Sequence, residues 1–90
     1  MGVYAIRSLS SGRVIVEASM NMRAAMNRAR FELDRKAYRD KQLQADWLAF
    51  GPDHFRFEVV DIVRQRTDPA FDYKAELAAL LAMWREELGA

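Results

Sequence analysis

Near its start the chain reads VYAIRSL, from Val3 to Leu9, a run rich in β-branched and aromatic residues. A second such run, RVIVEA, extends from Arg13 to Ala18, and Ser10-Ser11-Gly12 separates the two. Short runs of this composition that are joined by a Gly-containing turn are typical of a β-hairpin. The sequence therefore predicts that the domain begins with two antiparallel strands.

Two helices are predicted after the hairpin. Asn21 is a suitable N-cap for the first, which is expected to run to about Lys36. Asp40 is a suitable N-cap for the second, which should end before Gly51 because Pro52 blocks its continuation. Apolar residues at spacings of three and four mark the inward faces: Met22, Ala25, Met26, Ala29 and Leu33 in the first helix, and Leu43, Trp47 and Phe50 in the second.

A third strand and a last helix complete the predicted fold. Phe55 to Val63 alternates at first, which places Phe55, Phe57 and Val59 on one face, and a switch of face with a bulge is expected near Val60. Residues 65–70 form a connecting loop, and Asp72 begins the last helix. Its apolar stripe is Tyr73, Leu77, Leu80, Leu81, Trp84 and Leu88.

Ninety residues support one hydrophobic core, so a single domain is expected over residues 1–90. The predicted class is α/β (α+β): a small three-stranded antiparallel sheet flanked by helices, in the order ββααβα. The chain has no Cys, which excludes a disulfide framework and a thiolate metal site. No run approaches the roughly 20 apolar residues that a bilayer requires. We therefore expect a cytoplasmic protein without a membrane partner, and His54, the single histidine, is expected to be a hydrogen-bonding loop residue.

The net charge of +1 conceals an asymmetry along the chain. Residues 1–44 hold nine basic and four acidic groups, whereas the remaining residues hold five basic and nine acidic groups. A basic half can steer a polyanion toward one surface, and a basic half with an acidic half also permits head-to-tail association of two copies. The same pattern is an ordinary way of solvating the surfaces of helices.

The ordered motifs resemble those of the GIY-YIG nuclease family. Gly2-Val3-Tyr4 is similar to the first half-motif, and Ile15-Val16-Glu17 stands in the place of the second. Ala18 to Asn21 looks like the turn that enters the family's first helix. Leu43 to Trp47 and Phe50 to Val59 look like the second helix and the third strand. The similarity covers residues 2 to about 63, and the last helix, around Trp84, matches by position only.

The resemblance implies a metal-dependent DNA endonuclease that has lost most of its catalytic side chains. Active members use two tyrosines, an arginine on the first helix and a glutamate on a later helix that holds one divalent ion. Carried onto this chain, Tyr4 matches the first tyrosine, but Ile15, Ala25 and Leu81 stand at the other three positions. Alanine cannot donate to a phosphate, and leucine cannot ligate a hard cation. We therefore predict a degenerate site at Tyr4 without a metal ion.

Three functional hypotheses follow. The first is a non-catalytic domain that binds DNA or another nucleic acid, with Tyr38 stacking on a base and the phosphates held by Arg7, Arg13, Arg23, Arg28, Arg30, Arg35, Lys36 and Lys41. The second is an endonuclease that uses Mg²⁺ or Mn²⁺ and a relocated site made of Tyr4, Glu17, Arg28 and Tyr38. The third is a protein-interaction module or a homodimer, in which Met20, Met22 and Met26 form an adaptable apolar surface.

Overall fold

The computed structural model describes residues 1–64 and 67–89, and these residues form three strands and three α-helices. The elements are β1 (Gly2–Ser8), β2 (Val14–Ser19), α1 (Met22–Asp34), α2 (Lys41–Phe50), β3 (Phe55–Ile62) and α3 (Tyr73–Leu88), with a 3₁₀ turn at Pro52–His54. The predicted order ββααβα is confirmed. Part of the predicted connecting loop, Gln65 and Arg66, lies outside the described residues.

The strands form one antiparallel sheet in the order β2-β1-β3. Tyr4 in the central strand pairs with Glu17 of β2 and with Val59 of β3. Val3 pairs with Asp61, so the register shifts by one residue and Val60 is the extra residue of β3. The bulge predicted near Val60 is confirmed, and because of it Val60 and Asp61 both lie on the side of the sheet where Trp84 packs.

Gly2 lies where β1 passes very close to β3. A Cβ atom on Gly2 would lie 2.2 Å from the main-chain oxygen of Asp61 and 3.0 Å from the side chain of Met22. Such contacts are shorter than van der Waals packing allows, so only glycine permits this approach of the two strands. The glycine of the first half-motif therefore has a steric role in the sheet.

The alternation of side chains along β1 divides the core between the two faces of the sheet. On the face covered by α1 and α2, which we call the α1/α2 face, the buried cluster consists of Tyr4, Ile6, Ala29, Leu33, Tyr38, Leu43, Trp47 and Phe55. On the other face, the α3 face, Val3, Ala5 and Val16 are buried under Leu80, Leu81, Trp84 and Leu88. The indole nitrogen of Trp84 donates to Asp61 at 3.0 Å.

Some details differ from the predictions. Phe50 was predicted to point inward, but it is 45% exposed because it is the last residue of α2 and lies beside the His54 ring. Val59 is on the predicted face but remains 47% exposed, since β3 is an edge strand. α1 ends at Asp34, two residues early, because Lys36 takes a left-handed conformation with φ 61°. In the described part of the chain, no helix is long and apolar enough to cross a membrane.

Candidate functional site

A concavity of about 450 Å³ opens on the α1/α2 face between α1, β2 and the connection from α1 to α2. Its lining is Tyr4, Glu17, Ala18, Ser19, Ala25, Arg28, Ala29, Glu32, Tyr38 and Arg39. The structure thus brings together all four residues of the predicted relocated site, namely Tyr4, Glu17, Arg28 and Tyr38. Ala25 and Ala29 present only methyl groups, so the α1 wall leaves space that longer side chains would occupy.

The residues converge for reasons that lie partly in local structure. Tyr4 and Glu17 are directly paired across β1 and β2. Arg28 follows Ala25 by three positions on α1, so the two share a helix face. Tyr38 comes from the connection between the helices, which has no periodicity that could have placed it.

A buried glutamine holds this connection. The Gln44 side chain accepts from the backbone N–H of Tyr38 at 3.0 Å and donates to the carbonyl of Leu33 at 2.9 Å. It therefore ties the end of α1 to α2 and determines where Tyr38 and Arg39 lie. The sequence carries no signal for this role of Gln44, because a polar residue on a helix ordinarily faces solvent.

Both tyrosines of the concavity are buried and keep their protons. Burial raises the pKa of Tyr38 to about 12, and the Tyr4 phenol adds to the shift. Burial also raises the pKa of Tyr4, with a further contribution from the negative charge of Glu17. The Tyr38 side chain is only 8% exposed and its ring packs in the core. This burial leaves little of the ring accessible, so it argues against the predicted stacking of Tyr38 on a base.

Glu17 is held between two arginines. Its Oε1 lies 2.5 Å from Nη2 of Arg39, and its Oε2 lies 3.4 Å from Nη2 of Arg85. The carboxylate raises the pKa of Arg39. Arg85 also donates through Nε to the carbonyl of Val16 at 3.1 Å, on the outer edge of β2. Glu17 thus joins the connection after α1 to helix α3 across the edge of the sheet.

Arg39 and Arg85 were not among the predicted site residues. Arg39 was counted only as part of the basic first half, and Arg85 lies on the acidic second half. Both border a second groove of about 410 Å³, along β2, that shares Glu17 and Arg39 with the concavity. No local pattern identifies these two arginines, because they meet Glu17 only when three distant segments pack together.

Of the eight cations predicted to hold phosphates, Arg28 is the one that lines the concavity. Arg7 pairs with Glu58 at 3.1 Å, and Arg13 pairs with Asp46 at 3.3 Å near the hairpin turn. The Ser10 hydroxyl at the same turn hydrogen-bonds His54 Nδ1 at 2.8 Å, which confirms the predicted loop role of His54.

The other five cations surround α1 or begin α2. Arg23 and Arg30 lie on another side of α1, where both line a hollow with Phe57. The Arg35 guanidinium lies over the Phe31 ring, with 4.5 Å between its central carbon and the ring centroid. Lys36 and Lys41 are exposed, after α1 and at the first position of α2. The structure therefore spreads these cations over several surfaces.

The residues of the concavity do not fit the divalent ion that the resemblance implies. Each carboxylate oxygen of Glu17 faces a guanidinium group, and Glu32 lies 3.9 Å from Arg28. Leu81, which the resemblance places at the position of the metal-binding glutamate, packs on the α3 face. Across residues 1–64 and 67–89, no group of three or more His, Cys, Asp or Glu residues could hold a metal ion.

Two solved structures share this architecture. The catalytic domain of the homing endonuclease I-TevI superposes with a TM-score of 0.80 at 17% identity, covering 98% of this chain and 87% of that domain. A glutamate-to-alanine mutant of the catalytic domain of intron endonuclease I-TevI gives a TM-score of 0.79 at 17% identity, with 98% and 82% coverage. No family model and no curated protein matches the sequence. At this level of identity the likeness concerns the fold, and the chain has the fold of a GIY-YIG nuclease catalytic domain.

Proposed function

We propose that this domain binds nucleic acid through its phosphates at the concavity and does not hydrolyse it. The observation that carries the proposal is the pair of well-exposed arginines at the concavity, on a nuclease fold. The Arg28 and Arg39 side chains are 80% and 71% exposed, so both can reach a phosphate at little desolvation cost. Guanidinium groups make strong, two-pronged hydrogen bonds to phosphate oxygens.

The same concavity lacks the groups that hydrolysis needs. Ala25 offers no donor for the charge that develops on a phosphate, and loss of one such donor typically lowers the rate by on the order of 100-fold or more. Tyr4 and Tyr38 have raised pKa values, which makes either phenolate a scarce base near neutral pH. The carboxylates of the concavity are paired with arginines and do not fit a metal ion, which removes a further means of activating water.

The charge balance predicts weak binding that depends on salt. Arg28 and Arg39 face the concavity together with Glu17 and Glu32, and Arg85 adds one positive charge at its border. Glu17 therefore competes with a phosphate for Arg39. Neutralising this carboxylate should favour a phosphate ligand.

The binding test compares arginines inside and outside the concavity. Labelled DNA is titrated at several salt concentrations with the wild type, Arg28→Ala, Arg39→Ala and the control Arg23→Ala, which removes the same charge from another side of α1. Arg28→Ala and Arg39→Ala should each weaken binding several-fold. Each should also reduce the slope of log K against the logarithm of the salt concentration by about one. Equal losses in the control, or no binding by the wild type at low salt, would contradict the proposal.

Glu17→Gln distinguishes binding from catalysis, because the two hypotheses predict opposite effects. In a binding site the substitution removes a competing negative charge, and affinity for DNA should rise. In a relocated nuclease site it removes a reacting or metal-binding group, and activity should fall. Thermal unfolding of the variant, followed by circular dichroism, controls for the ion pairs that are lost with Arg39 and Arg85.

Hydrolysis at a relocated site is the second candidate, and the convergence of Tyr4, Glu17, Arg28 and Tyr38 favours it. Plasmid and branched DNA are incubated with the protein and Mg²⁺ or Mn²⁺. We expect no turnover. Cleavage that disappears in Tyr4→Phe would replace the non-catalytic proposal with the nuclease.

A further inference from the structure

Phe31 is an aromatic residue of α1 that the core does not use. Phe31 is 55% exposed, and its neighbours along the helix are strongly polar. Arg28 precedes it by three positions and Arg35 follows it by four, so all three side chains share one surface of the helix. The Arg35 guanidinium already lies against the ring. We call Phe31 with Arg35 the Phe31 platform.

The platform adjoins the concavity. Arg28 and Glu32 line the concavity, and Phe31 lies on the next strip of α1, away from the sheet. On its far side the helix presents Asn27 and Asp34, and Arg23 and Arg30 lie beyond them at the hollow with Phe57. A polyanion that leaves the concavity across α1 therefore meets Arg28 first and then the platform.

We propose that the domain prefers a single-stranded segment, with one unpaired base stacked on Phe31. This inference rests on the nucleic-acid binding proposed above. Arg28 and Arg35 hold the phosphates on either side of that base. Stacking on an aromatic ring requires an open base face, which a duplex does not offer along its length. Tyr4 and Tyr38 cannot provide this contact, because both rings are buried.

Charge complementarity favours a nucleic acid over an apolar protein segment as the occupant. On the side of the concavity the exposed ring is flanked by Arg28, Glu32 and Arg35, and exposed Lys36 follows, so three cations stand there against one carboxylate. An aromatic ring among cations suits a ligand that has both a flat π face and negative charge. A base with its own phosphate combines these properties.

The experiment measures binding of a labelled oligothymidylate and of a duplex of equal length to the full chain at low salt. Phe31→Ala should weaken single-strand binding about 10-fold and leave duplex binding nearly unchanged. Phe31→Leu, which remains apolar but lacks a π face, should lose as much, whereas Phe31→Trp should bind as tightly as the wild type or more so. Phe50→Ala is the matched control, because Phe50 is similarly exposed but lies at the end of α2.

A second readout reports the stacking itself. An oligonucleotide that carries 2-aminopurine should lose fluorescence on binding the wild type and Phe31→Trp, and should keep it with Phe31→Leu. Phe31 is outside both buried clusters, so circular dichroism should show unchanged thermal unfolding for the variants.

The outcomes separate this inference from the proposed function. If Arg39→Ala weakens binding but Phe31→Ala does not, the domain binds nucleic acid and the platform is not used. Full affinity in Phe31→Leu, or an equal loss in Phe50→Ala, would overturn stacking in favour of general apolar contact. If the wild type binds neither oligonucleotide, both proposals fail, and a protein partner becomes the alternative ligand of the exposed ring.

Discussion

The two faces of the sheet are built from the same central strand but differ in what they enclose. On the α3 face, Val3 and Ala5 lie under leucines and Trp84, which close the surface. On the α1/α2 face, Tyr4 lies beside Tyr38 under a helix wall of alanines, and a concavity remains. The difference shows that an open site here depends on small residues in α1 as much as on the polar residues around it.

The faces also differ in how their elements are joined. α3 is held by apolar packing and by the Trp84 and Arg85 hydrogen bonds. The connection between α1 and α2 is held by the Gln44 hydrogen bonds, by the buried Tyr38 ring and by the ion pair of Arg39 with Glu17. The site therefore depends on a connection that is held largely by polar contacts, and the following predictions test that contrast.

The largest expected effect on stability is that of Leu33→Ala, which opens a cavity in the core of the α1/α2 face. Leu33 is fully buried, so the substitution should lower the free energy of unfolding by about 3 to 4 kcal/mol. Leu81→Ala, on the half-buried cover of the α3 face, should cost less. Urea denaturation measures both. A larger loss for Leu81→Ala would reverse the assignment of the main core to the α1/α2 face.

The second prediction is that alkali destabilises the α1/α2 face through Tyr38. Its pKa is about 12 in the folded protein and 10.0 ordinarily, so the folded state retains the proton more strongly. The protonated Tyr38 therefore contributes to the free energy of unfolding. This contribution is present in full below pH 10 and is lost as the pH rises toward 12, to a total of about 3 kcal/mol. Denaturation at increasing pH, with Tyr38→Phe as the comparison, measures it. Parallel profiles for the two proteins would refute the assignment to Tyr38.

Gly2→Ala should disturb both faces together. The new methyl group would collide with the main-chain carbonyl of Asp61 and with the side chain of Met22. The Asp61 side chain accepts from Trp84 on the α3 face, and Met22 packs on the α1/α2 face. We expect a loss of about 2 kcal/mol in the free energy of unfolding. Gly12→Ala provides the comparison. A methyl group at Gly12 would contact no other atom, but φ is positive there, so this substitution introduces backbone strain alone. A smaller loss for Gly2→Ala than for Gly12→Ala would argue against the close approach.

The smallest effect is a gain in Lys36→Gly. A left-handed backbone at a residue with a Cβ is strained, and glycine relieves this, so stability should rise by about 0.5 to 1 kcal/mol. Lys36→Ala keeps the Cβ and should show no such gain. Thermal unfolding of the two variants gives the comparison. Equal stabilities would indicate that the connection is not strained at this residue.

Local signals in the sequence identified most of the fold. The caps Asn21, Asp40 and Asp72 all accept from backbone N–H groups at the starts of their helices, as their residue types predict. The end of α1 and the exposure of Phe50 were missed, because a cap or an apolar residue at a helix end has no periodic neighbour to confirm its direction. Within the site, the pairing of Tyr4 with Glu17 follows from the hairpin, whereas the glutamine bridge has no sequence signal.

The sequence by itself determined the order of elements and the bulge near Val60, and its resemblance to a nuclease family predicted that Ile15, Ala25 and Leu81 stand in place of catalytic side chains. These depend on residue type and on contacts between near neighbours, which periodicity and motifs record. Only the tertiary structure decided that Tyr38 is buried, that Glu17 lies between Arg39 and Arg85, and that Phe31 stays exposed. Such placements depend on where separate segments meet, and the packing of helices on a sheet is not encoded in any one segment.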